Sequence, residues 1–180
     1  MLRNRLLILP ALIAALTLSA CGSDKSTESA ATPQATATDS DVEGTVTVTG
    51  DLGEKPTIKV TPDNPTPPAD LVIKDIKKGT GKTAKAGDKV SVQYVGSLYH
   101  NNEVFDNSWD KGQPFSFPLG QGQVIQGWDK GVEGMKVGGR RELVIPPDLG
   151  YGAQGSPPTI PAGATLVFVV DLEKVEKGAS

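Results

Sequence analysis

Residues 124–128 read Val-Ile-Gln-Gly-Trp, in the middle of a string of aromatic and turn residues that holds the ingredients of one apolar pocket. Upstream lie Tyr94, the block Phe105-Asp106-Asn107-Ser108, and Pro114-Phe115-Ser116-Phe117. Downstream lie Tyr151-Gly152-Ala153 and Ala164-Thr165-Leu166-Val167-Phe168. Aromatic side chains carry much of the apolar area that a small domain can bury. A chain that gathers its large rings in one stretch is building a core, a greasy binding site, or both.

The flanking pattern sets the architecture. Leu71 to Ile76 is rich in strand formers, and Lys89 to Val95 alternates with Val90, Val92 and Tyr94 on one face. Arg141 to Ile145 reads as a third strand, ended by Pro146-Pro147, and Thr165 to Leu172 as a fourth with Leu166, Phe168, Val170 and Leu172 on one face. His100-Asn101-Asn102 has turn chemistry. Between the strands, Ile125, Trp128, Val132 and Met135 recur at helical spacing, which predicts one short helix. Gly127, Gly131 and Gly134 weaken that helix by about 1 kcal/mol each, and Gly138-Gly139 is expected to end it. Strands, one helix, then strands is an α+β pattern: an antiparallel twisted sheet wrapped over one short helix.

The N-terminal third reads differently. Arg3 and Arg5 precede an apolar run from Leu6 to Leu18, too short to span a bilayer comfortably, and Leu18-Ser19-Ala20-Cys21 then has the form of a bacterial lipobox. Residues 1–21 are thus expected to be a lipoprotein signal peptide, with Cys21 the site of lipid attachment. The bland alternative is an ordinary signal peptide with a chance cysteine. An exported chain with an odd cysteine needs a use for its thiol, which favours the lipoprotein. Residues 22–69 are expected to be a flexible linker, rich in Ser, Thr, Ala and Pro, with two possible short strands where Val46 and Val48, then Ile58 and Val60, alternate. Pro62, Pro65, Pro67 and Pro68 mark the expected boundary, leaving 70–176 as the folded domain.

Composition excludes several classes. The net charge is −3 with no basic cluster, so nucleic-acid binding has no electrostatic footprint. One cysteine and one histidine, His100, cannot make an intrachain disulfide or a zinc site. No cofactor is called for.

The order and spacing of the motifs resemble the FKBP-type peptidyl-prolyl isomerases, the macrolide-binding immunophilins, over about Leu71 to Val175. Tyr94-Val-Gly resembles the family's Tyr-x-Gly strand end, Phe105-Asp106 its Phe-Asp pair, Pro114-Phe115-Ser116-Phe117 its Pro-Phe-x-Phe, and Val124 to Trp128 its Val-Ile-x-Gly-Trp. The resemblance implies that Trp128 floors a pocket for a proline ring. It implies that Tyr94, Phe105, Phe115, Val124, Ile125 and Phe168 wall that pocket, that Asp106 lines it, and that Tyr151 and the Ile125 N–H point donors at ligand carbonyls. Gln123, Ser156, Thr159 and Lys111 depart from the best-known members, which bears on substrate preference and drug affinity. The implied function is a peptidyl-prolyl cis-trans isomerase, monomeric, acting on proline-containing unfolded or folding polypeptides and binding macrolides. With the leader, this becomes assistance to exported proteins at the outer face of a bacterial membrane or facing the periplasm. The competing reading keeps the fold as a non-catalytic binding module or holdase.

Overall fold

The computed structural model describes residues 43–178. The leader, Cys21 and the polar segment up to residue 42, on which the signal-peptide and lipid-attachment expectations fall, lie outside the described residues.

Among the described residues, eight strands and one α-helix follow in sequence order: β1 (Thr45–Thr49), β2 (Thr57–Thr61), β3 (Val72–Lys77), β4 (Lys89–Leu98), β5 (Val104–Asn107), β6 (Phe115–Pro118), α1 (Gln126–Val132), β7 (Gly139–Ile145) and β8 (Leu166–Glu176). The main sheet runs β3-β7-β8-β4-β5, every pairing antiparallel, and β6 adds to β4 as well. Strand β4 serves two partners along one edge: residues 89–92 pair with β6, and 95–97 pair with β5. A register shift against β8 at Ser91/Val92 is the kind of irregularity that increases local twist. The expected α+β architecture, a sheet wrapped over one short helix, is what the chain adopts.

Alternation decides what each face holds. On one face Val90, Val92 and Tyr94 of β4 meet Leu166, Phe168, Val170 and Leu172 of β8 and Leu143 and Ile145 of β7, and α1 closes this core with Trp128 and Val132. The helix is shorter than the apolar spacing predicts. It stops at Val132; Glu133 is already extended, Gly134 takes φ +78°, and Met135 reaches the core from beyond the helix. Gly139, expected to help end the helix, opens β7 instead. The helical glycines have a packing reason. A Cβ on Gly127 would sit 2.5 Å from Ile145 Cγ2, and one on Gly131 would sit 2.6 Å from Leu143 Cδ2. One turn apart, the two glycines let α1 lie close against β7, and that contact offsets their poor helix propensity.

The other face of the sheet corrects the expected domain boundary. Strands β1 and β2 pair in register from Thr45/Thr61 to Thr49/Thr57 and form a hairpin. Ile58 and Val60 bury against Val95, Val144, Val167 and Val169, with Val46 and Val48 packed on the same cluster. Arg140, 2% exposed, forms a bidentate pair with Asp171 (2.6 and 2.7 Å) and donates to the carbonyls of Gly50 and Glu54 in the hairpin turn. Tyr99 Oη donates to the Gly44 carbonyl, and the Asn102 side chain bonds both the N–H and the C=O of Val60. A linker with four alternating apolar residues has something to bury, so from residue 43 onward the chain is part of the folded unit and not a free tether. The prolines at 62–68 connect the hairpin to β3.

Candidate active site

Strand β4 carries Tyr94 on its inner face, β8 places Phe168 beside it, and the start of α1 brings Trp128 beneath both. Trp128 is 4% exposed, with ring centroids 5.1 Å from Tyr94 and 5.2 Å from Phe168, both edge-on. Phe115 on β6 and Phe105 on β5 extend the cluster: Phe105 meets Phe168 at 5.5 Å, and Phe115 meets Trp128 at 6.1 Å. Such edge-to-face pairs are each worth about 0.5–1.5 kcal/mol beyond area burial, so the rings hold one another at fixed angles. Gly96 makes this possible. A Cβ there would lie 2.6 Å from Phe168 and 2.8 Å from Phe105, so only glycine lets the two rings approach across β4.

These rings line a cleft of about 550 Å³ together with Asp106, Lys111, Gly122, Gln123, Val124, Ile125 and Tyr151. All nine pocket residues expected from the sequence, namely Tyr94, Phe105, Asp106, Phe115, Val124, Ile125, Trp128, Tyr151 and Phe168, lie on this one cleft. Trp128 forms its buried floor; Phe115 and Tyr151, each about 40% exposed, stand at its mouth. Ile125 is the residue that flanks the first turn of α1, where backbone N–H groups lack intrahelical acceptors. The Trp128 Nε1–H is buried with no partner among the described residues, an unmade bond that costs about 1–3 kcal/mol.

One wall is polar. Tyr94 Oη donates to Asp106 Oδ2 at 2.5 Å, while Lys111 Nζ donates to Asp106 Oδ1 at 2.6 Å and to Tyr94 Oη at 3.3 Å. Burial, reinforced by the hydrogen bond to the Asp106 carboxylate, pushes the Tyr94 hydroxyl up to about 12. For Asp106, burial alone would raise the carboxyl, but the Lys111 ammonium and the Tyr94 hydroxyl outweigh it and hold the group below its ordinary value. Asp106 in turn pushes Lys111 up. Tyr151 is also raised, by burial first and then by the Asp106 charge. At neutral pH the wall is therefore a fixed carboxylate with two protonated neighbours, and it has no group poised to exchange a proton.

Sequence reasoning noted Lys111 only as a departure, and it missed Asp129. The Asp129 carboxylate accepts from the N–H groups of Gly120 and Gly122 at 2.8 and 2.9 Å, which ties the loop carrying Gly122 and Gln123 to α1. Asp129 lies inside α1, in the run Trp128-Asp129-Lys130-Gly131, which offered no local pattern for a contact seven and nine residues back. Trp109 packs against the hairpin-side cluster with its Nε1 buried.

The model of the family described as FKBP-type peptidyl-prolyl cis-trans isomerase matches residues 80–173. The chain belongs to this family. It is 58% identical over 110 residues to the FK506-binding protein of Streptomyces anulatus, a match that covers 61% of this chain and 89% of that one. Among solved structures, FkpA from Escherichia coli aligns with a TM-score of 0.56 at 43% identity, over 61% of this chain and 49% of FkpA, so the present chain spans about half of that protein. AtFKBP13 aligns with a TM-score of 0.55 at 36% identity, over 59% of this chain and 94% of its own. The chain thus carries an FKBP-type peptidyl-prolyl isomerase domain, and the cleft is its candidate active site. Its chemistry is rotation about an X-Pro bond, and neither a nucleophile nor a proton relay has to be found in the wall.

Proposed function

We propose that this chain is an exported, membrane-tethered FKBP-type isomerase that accelerates X-Pro isomerisation in polypeptides folding outside the cytoplasm. The single observation that carries the catalytic part is the buried aromatic floor, with Trp128 boxed edge-on by Tyr94, Phe115 and Phe168 at one end of a cleft open to solvent. The tether rests on Leu18-Ser19-Ala20-Cys21 after a short apolar run. Cys21 would carry the lipid.

An X-Pro bond turns over a barrier of about 18–20 kcal/mol because twisting destroys amide resonance. Unaided, this takes about tens to hundreds of seconds. The planar amide is strongly dipolar and well solvated, and the twisted amide is less so. A site that strips water from the bond and receives the pyrrolidine ring on Trp128 therefore favours the twisted state, which is differential binding of the transition state. Phe105, Phe115, Val124 and Phe168 exclude water. Tyr151 and the Ile125 N–H hold the flanking carbonyls. Asp106, kept charged by Lys111 and Tyr94, fixes the Tyr94 ring angle and presents a negative edge to the amide. The cleft is larger than a proline ring, which leaves room for a macrolide of the kind named for the Streptomyces relative.

The test is a refolding or protease-coupled assay of X-Pro peptides with the full chain, next to intact-mass analysis of protein extracted from membranes. Acceleration and an acylated mature N-terminus at Cys21 are expected. Binding of unfolded chains without acceleration would replace the enzyme by a holdase. A mature soluble protein that begins elsewhere would remove the tether.

A further inference from the structure

The family match begins at residue 80, yet the hairpin of β1 and β2 touches the 3₁₀ turn that brings Lys111 to the cleft. Lys55, in the hairpin turn, donates to both carboxylate oxygens of Asp110 at 2.8 and 2.7 Å. Asp110 accepts from Asn107 Nδ2 at 2.9 Å, and its own N–H donates to Asn107 Oδ1 at 2.8 Å. The Asn107 N–H donates to Asp106 Oδ1 at 2.8 Å, the same oxygen that Lys111 holds. Lys111 follows Asp110 in one 3₁₀ turn, Trp109–Lys111. An unbroken chain of hydrogen bonds therefore runs from the hairpin to the polar wall of the site.

Both ends of that chain are fixed by separate means. The hairpin turn is gripped by Arg140, whose guanidinium is bound to Asp171 and to the carbonyls of Gly50 and of Glu54, the residue just before Lys55. The 3₁₀ turn is seated by Trp109, which packs on the valine cluster that also receives Ile58 and Val60. An exposed ion pair between two free side chains contributes little, because ordering both costs entropy. Here the loop bearing the lysine is already clamped and the carboxylate is already held by Asn107, so most of the ordering is done before the pair forms.

Building on the isomerase reading of the cleft, we propose that Lys55 is a positioning residue for catalysis. Through Asp110 it sets the 3₁₀ turn that carries Lys111, and so fixes the Lys111–Asp106–Tyr94 wall. The hairpin is then a working part of the active site and more than a cover for the sheet.

The experiment uses the full chain with Lys55→Met, Lys55→Arg, Asp110→Asn and the Lys55→Met/Asp110→Asn pair. Values of kcat/KM for an X-Pro peptide are measured at low and high salt beside denaturant midpoints. Lys55→Met and Asp110→Asn should each lower kcat/KM about 2–5-fold at low salt, a size set by single ion pairs. The double variant should lose no more than either single one, Lys55→Arg should keep the wild-type rate, and the midpoints should hardly move. Wild-type rates in Lys55→Met, or additive losses in the double variant, would overturn the proposal. If the wild-type chain itself shows no acceleration, the isomerase reading fails on its own, and the backbone amide shifts of Asn107 and Lys111 decide the positioning: displacement in Lys55→Met supports it, and coincidence with wild type refutes it.

Discussion

The Tyr94 hydroxyl lies 2.5 Å from Asp106 Oδ2, so a ring that walls the cleft is held at its tip by a carboxylate on the neighbouring strand. Asp106 thus has a structural duty toward Tyr94 and an electrostatic one toward the cleft. Asp106→Ala should lower kcat/KM with a small change in denaturant midpoint, since the side chain is 42% exposed. Phe168→Ala, by contrast, empties a buried position and should cost about 3–5 kcal/mol of stability as well as activity. Rates and midpoints measured together separate the two. An Asp106→Ala domain at full rate would leave the residue as a turn former.

Tyr94 gives a prediction on the alkaline side. Its hydroxyl is raised from about 10 in the unfolded chain to about 12 in the fold. The folded state then holds the proton more tightly, so this stabilisation is complete below about pH 10 and is lost as pH rises toward 12. Thermal midpoints followed from pH 9 upward should fall over about that window, and the fall should be shallower in Tyr94→Phe. Identical alkaline slopes in the two proteins would assign the loss to other groups.

The two tryptophans report on opposite faces of the sheet. Trp128 floors the cleft, and Trp109 packs on the hairpin-side cluster. A macrolide or proline-mimic ligand should change the fluorescence of the wild-type chain, and Trp128→Leu should remove most of that change. A response that survives in Trp128→Leu and vanishes in a Trp109 variant would move the ligand out of the cleft.

Arg140 is buried with Asp171 and has no water to fall back on. Arg140→Met leaves a buried carboxylate without its partner and two hairpin carbonyls without their donor, and a cost of about 3–5 kcal/mol is expected. Replacing both, as Arg140→Met/Asp171→Leu, should cost less than the single change, because no buried charge remains. Urea midpoints of the three proteins check this. A single variant no less stable than the double would refute the clamp.

The inner face of the domain was legible because one alternation names it: Val90, Val92 and Tyr94 on β4, and Leu166, Phe168, Val170 and Leu172 on β8, all turn toward α1. The outer face was not. Val95, Val167 and Val169 stand in the opposite phase, where alternation alone assigns water, yet they receive Ile58 and Val60. The apolar run from Leu166 to Val170 carried the signal, since strands covered on both sides lose their polar alternation. Strands β5 and β6 are four residues each, and β6 follows Pro114 and ends on Pro118, so neither had the length to declare itself. The rings of the cleft were found through motif order. The Lys111–Asp106 pair and the Asp129 loop clasp were not, because side-chain contacts that depend on turn geometry leave no periodic trace.

The cover over the outer face bears on how this domain behaves in solution. A chain cut back to residues 80–173, the span that matches the family, would open Val95, Val144, Val167 and Val169 to water and leave the Arg140–Asp171 pair at a surface with two of its acceptors gone. Four valines side by side on a sheet make a contiguous apolar patch, the kind of surface through which proteins self-associate. The hairpin keeps that patch out of water.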